Sequence, residues 1–175
     1  MNKWLIAGVF GLIINSTATA FADEFVSIGS GNWRLLESFD VMTDQGRGIA
    51  AVTGASGKSS VIVKCDSGGG DRQMYVSIIS PKYLGEGRYR NREITLRFDQ
   101  EQPFNINASH DSSTASIFGR NDVNKIVGKI LKAEKLAFRA TSYDYESVTE
   151  VFDIRDGKEA IQRAYSACGQ ALTIE

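Results

Sequence analysis

From Gly31 to Phe118 apolar and polar residues alternate with a period close to two, and clusters of Gly, Ser, Asp and Asn interrupt the alternation at short intervals. β-Branched and aromatic residues in that rhythm predict a meander of short strands. The expected strands run Trp33 to Phe39, Gly48 to Thr53, Ser60 to Cys65, Gln73 to Ile79, Glu93 to Phe98, Phe104 to Ser109 and Thr114 to Phe118. The breaks suit turns: Gly54-Ala-Ser-Gly57 and Ser67-Gly-Gly-Gly70 permit positive φ, and Pro81 has no N–H to give a ladder.

The period lengthens at Val123, Ile126, Val127, Ile130 and Leu131, which fall on one stripe of a helix with Asn121 or Asp122 as its N-cap. Alternation returns at Lys135 to Tyr143 and Ser147 to Ile154, two strands spaced as a hairpin. A second helix is expected from about Gly157 to Ala167. Asp156 and Glu159 are spaced as a capping box, Gly169 is placed as a stop, and Ala160, Ile161, Ala164, Tyr165 and Cys168 form its buried stripe. Many short strands with two short helices, the second at the C-terminus, predict a mainly β fold: an antiparallel β-sandwich or partly closed barrel.

The first 22 residues obey neither period. Lys3 opens them, Trp4 to Ile14 are all apolar or Gly, and a polar stretch leads into Ala20-Phe21-Ala22. This is the layout of a secretory signal, too short in its apolar run to span a bilayer, with cleavage expected between Ala22 and Asp23. The expected organisation is therefore a signal peptide, 1–22, and one domain, 23–175, placed in the periplasm or released from the cell. No stable membrane insertion is expected once the signal is cleaved.

Charge and cysteine content sharpen this picture. The chain has 20 basic and 21 acidic residues without a block of either sign, so nothing attracts nucleic acid or an anionic membrane. The two cysteines, Cys65 and Cys168, allow one intramolecular pairing, and an oxidising compartment predicts that they form it.

Catalytic chemistry finds little material. His110 is the single histidine, between Ser109 and Asp111 in what reads as a solvated turn. Three consecutive residues on an extended chain point to alternating sides, so they do not make a triad. A zinc site needs several Cys or His ligands, which this chain lacks, and Ser67-Gly-Gly-Gly-Asp71 has no following Lys-Ser or Lys-Thr to make a phosphate loop. No catalytic residue, metal or cofactor is expected. Arg88, Arg90 and Arg92 form the densest basic stretch, and strand alternation puts them on one side, as a candidate contact for a small anion or carboxylate or as a solvated edge.

Four segments carry a family resemblance, in order along the chain. They are Trp33 with "FDVMTDQGRGIA" from Phe39 to Ala50, "VIVKCDSGG", "ITLRFDQEQPFNINASHDSSTASIF", and "FDIRDGKEAIQRAYSACG" from Phe152 to Gly169. Together they resemble the type VI secretion-associated periplasmic proteins of the VasI or TagO kind. The chain departs from that pattern at Phe104, where the family has tryptophan, and at Gln170, where it has an aromatic residue. It is similar, with a weaker match at the last helix, to invasion-associated locus B proteins. The first resemblance implies a non-enzymatic accessory or binding protein whose partner is an envelope or secretion-system protein. The alternative is an exported inhibitor or small-ligand-binding protein.

Overall fold

The structure, a computed structural model, describes residues 25–29, 31–68, 73–85 and 91–172. The expected signal peptide and its cleavage site at Ala22 and Asp23, with Arg88 and Arg90, lie outside the described residues.

Ten strands form one antiparallel sheet: β1 (Val26–Ser27), β2 (Trp33–Asp40), β3 (Gln45–Thr53), β4 (Ser60–Asp66), β5 (Met74–Ile79), β6 (Asn91–Phe98), β7 (Phe104–Asp111), β8 (Thr114–Ile117), β9 (Lys135–Thr141) and β10 (Ser147–Asp153). Among the described residues two helices accompany the sheet, α1 (Arg120–Ile130) and α2 (Lys158–Ala167). The strand order is β1-β2-β3-β4-β5-β8-β7-β6-β9-β10. Strands β2 to β5 follow the predicted meander. The order then inverts, because β6, β7 and β8 pair as consecutive neighbours and β8 returns beside β5, as in a Greek key.

The alternation read from the sequence becomes a difference between faces. Ala50 and Val52, Val61 and Val63, Val76 and Ile78, Ala115 and Ile117, Ile94 and Leu96, and Leu136 and Phe138 all point to one face and are buried. Both helices cover that face with the stripes their spacing predicts: Val123, Ile126, Val127 and Ile130 from α1, and Ala160, Ile161, Ala164 and Tyr165 from α2. Among the aromatic side chains in or next to the strands, Trp33, Phe98, Phe138 and Phe152 are buried in this core, while Phe104 and Phe118 are half-buried.

The sheet curls over this core without closing into a barrel. The buried indole of Trp33 donates from Nε1 to the Ile154 carbonyl at 3.1 Å, tying the start of β2 to the chain leaving β10. In the turn between β3 and β4, the hydroxyls of Ser56 and Ser59 donate to Glu150 on β10, at 3.2 and 2.9 Å. Side chains, and no backbone ladder, join the two ends.

Both helices begin differently from the sequence expectation. Helix α1 has Gly119 as its N-cap, with φ 96° and no side-chain cap bond, so neither Asn121 nor Asp122 caps it. Asp122 instead lies in the first turn, where its charge favours the positive end of the helix dipole. Helix α2 has no capping box; its N-cap is Gly157, again without a side-chain cap bond. The cause is tertiary: Gly157 is pressed against the Trp33 ring, where any Cβ would collide. The C-terminal stop is as predicted. Gly169 has φ 74°, its N–H donates to the Ser166 carbonyl, and the Gln170 N–H donates to Tyr165, closing a Schellman motif.

Candidate functional site

The face opposite the helices has its own apolar character. Ile49 on β3, Ile62 on β4, Tyr75 and Ile79 on β5, and Phe118 after β8 are all half-buried there, and they line an open groove of about 510 Å³. Strand register arranges the groove in rows. Ile49, Lys64 and Tyr75 are successive cross-strand partners, and so are Ile62, Ser77 and Ser116. The Tyr75 and Phe118 rings lie 5.3 Å apart, and Lys64 Nζ sits 5.3 Å from the Tyr75 ring centre while also facing Asp66 at 3.7 Å. Ser77 and Ser116 share a hydrogen bond of 2.7 Å on the floor. Apolar walls, a paired hydroxyl floor and one cation make a surface that can hold a partner.

The disulfide joins Cys65 to Cys168, as expected, across a Cα separation of 5.9 Å. It fastens the end of α2 to β4, next to β3. On β3, Gly46 and Gly48 lie directly beneath α2, and a Cβ on either would collide with the backbone of Ala167 or Ala164. The close approach of helix to sheet therefore depends on two glycines and one covalent bond. Within this contact the Tyr165 hydroxyl is buried without a hydrogen-bond partner, and burial pushes its pKa up to about 12.

Of the arginine cluster, Arg92 is the described member, exposed at the start of β6. The register pairs it with Ala108, one alternation from His110 on β7. His110 itself is not a turn residue. It lies within β7, opposite Ala115 of β8, and is 1% exposed, with neither ring nitrogen hydrogen-bonded. The strand runs on through Asp111, so the odd-even rule turns Ser109 and Asp111 to the outer face and His110 into the core. Burial lowers the imidazole pKa, and the positive charge of Arg92 lowers it further. Beyond this corner Lys82, Tyr83, Tyr143 and Asp144 border a cleft of about 370 Å³, with the two tyrosine rings edge to face at 5.6 Å. Among the described residues no group of three His, Cys, Asp or Glu side chains could hold a metal ion.

The groove residues were not singled out by sequence reasoning, although a signal for them exists. Strands β3, β4 and β5 carry apolar residues at both parities, as in "IAAV", "VIV" and "VSII". Such runs mark strands with apolar surface on both faces.

No protein-family model, curated protein or solved structure matches this chain. No described helix is long and apolar enough to cross a membrane.

Proposed function

We propose that the chain is a non-enzymatic binding protein of the bacterial envelope, exported to the periplasm and serving there as an accessory to a type VI secretion apparatus. The observation that carries the binding reading is the groove on the sheet face opposite α1 and α2, where five large apolar side chains are half-buried and neither described helix covers them. Apolar surface gathered in one place is the usual mark of an interaction site. The Cys65–Cys168 disulfide supports an oxidising compartment, and the ordered resemblance to the VasI or TagO kind supports the secretion role.

The test is crosslinking of the full chain in its native envelope, comparing the wild type with Ile62→Lys, which places a charge in the middle of the groove. Recovery of secretion-machine proteins that disappear with Ile62→Lys is the expected result. Recovery of the same set from both chains would remove the groove from the reading, and recovery of a single soluble enzyme would favour the inhibitor alternative. A small-ligand role draws on one specific observation: the volume of about 510 Å³ lies within the range of small-molecule sites. Thermal stabilisation by a defined ligand, without a protein partner, would support it.

A further inference from the structure

The hairpin joining β2 to β3 ends in a second apolar surface, separate from the groove. Phe39, Val41 and Met42 are 60%, 77% and 88% exposed. Single exposed apolar residues are ordinary, but three within four positions on one turn, left exposed by the described residues, are a concentrated apolar surface.

The turn is held in shape. Asp40 Oδ1 accepts from the Met42 N–H at 2.8 Å, and the Asp40 carbonyl accepts from the Thr43 N–H at 3.3 Å. Asp44 adopts φ 54°, a left-handed conformation that Asp tolerates. Below the turn the β2–β3 ladder is continuous to Asp40 and Gln45, and β3 is clamped against α2 at Gly46 and Gly48. A tip built on so rigid a base loses little conformational entropy on binding.

Charge decides what kind of partner suits it. Glu37 is paired with Arg163, and Arg47 with Asp66, so these charges are largely satisfied within the molecule. Asp40 and Asp44 remain at the tip, both exposed, with no basic side chain paired to either among the described residues. Asp40 also borders a notch of about 280 Å³ with Asp66 and Arg47. Two carboxylates beside the apolar side chains oppose insertion into an anionic membrane and complement a basic surface.

We infer that the Phe39 to Asp44 turn is a docking finger that enters an apolar socket edged by Lys or Arg side chains on a protein partner. This rests on the reading of the chain as a binding protein, and adds to it a second contact with a defined partner chemistry.

A photoreactive phenylalanine analogue at Met42, in the full chain in its native cells, tests it. The expected product is one protein adduct whose crosslinked peptide carries apolar residues next to Lys or Arg. Asp40→Asn with Asp44→Asn keeps the turn, because Asn retains the accepting oxygen and the left-handed preference, and lowers the adduct yield roughly tenfold. Val41→Ser with Met42 replaced by the probe lowers it as well. An adduct to phospholipid, to a second copy of this chain or to an acidic peptide overturns the inference, as does a yield unchanged by the two Asn substitutions. The same probe at Tyr75 separates the two claims: adducts from Tyr75 without adducts from Met42 sink the finger alone, and adducts from neither sink the binding reading with it.

Discussion

His110 shows how far one side chain can depart from its local sequence. Flanked by Ser109 and Asp111 it reads as solvated, yet it is a core residue with two unpaired ring nitrogens beside Arg92. Its cost follows from linkage. The unfolded chain takes up a proton at the ordinary value of 6.5, whereas the folded state, with its lowered pKa, resists it. Stability is therefore whole above that value and falls as pH drops through it toward the folded pKa. Urea unfolding at about pH 7.5 and about pH 5.5 should show a loss of stability in the wild type that is smaller in His110→Leu. Equal losses in both would remove His110 from the pH response. The substitution also removes two unsatisfied polar atoms, so at the higher pH it should cost little.

At the scale of elements, the decisive contact is α2 on β3. Side chains normally hold a helix off a sheet, but here Gly46 and Gly48 let the backbone of α2 descend onto the strand. Gly48→Ala should force the helix outward and destabilise the protein by about 1 to 3 kcal/mol, measured by denaturant unfolding. Gly128→Ala is the opposite case. Gly128 lies inside α1, where an added Cβ would meet nothing within 4 Å, and the substitution should stabilise by up to about 1 kcal/mol. Similar effects for the two substitutions would refute the packing argument. The strands and the stripes of both helices were legible because they depend on residues two, three or four positions apart. The N-caps were not: Gly157 is chosen over Asp156 by the Trp33 ring, which lies more than a hundred residues away in sequence.

At the scale of the whole molecule, the curled sheet stays open among the described residues, and a few ties of long sequence separation hold the C-terminal elements to the early strands. The disulfide spans a sequence separation of 103 residues. In the chain-entropy model a loop of this length contributes about 4.7 kcal/mol by restricting the unfolded chain. Cys65→Ser with Cys168→Ser should lower the denaturant midpoint strongly, and reductant should move the wild type toward the same midpoint. A wild type whose thiols are alkylated without reductant would contradict the bond. Trp33 to Ile154 and Ser59 to Glu150 add smaller ties from β2 and the β3–β4 turn to β10 and the chain leaving it.

The sequence by itself determined the mainly antiparallel β character, the meander from β2 to β5, the two helical stripes, the Gly169 stop and the cysteine pair. Each follows from local periodicity, from residues with special backbone freedom, or from the arithmetic of two thiols. Only the tertiary structure decided that β8 lies beside β5 and β6 beside β9, which face of each strand is covered, and which apolar residues were left over. The groove around Ile62 and Tyr75 exists because α1 and α2 settled on the other face, and the tip at Val41 and Met42 is exposed because no described element folds over it. Burial of His110 has the same origin. A pattern of period two states that alternate residues share a face, but the choice between core and solvent for that face is made by the elements that pack against it.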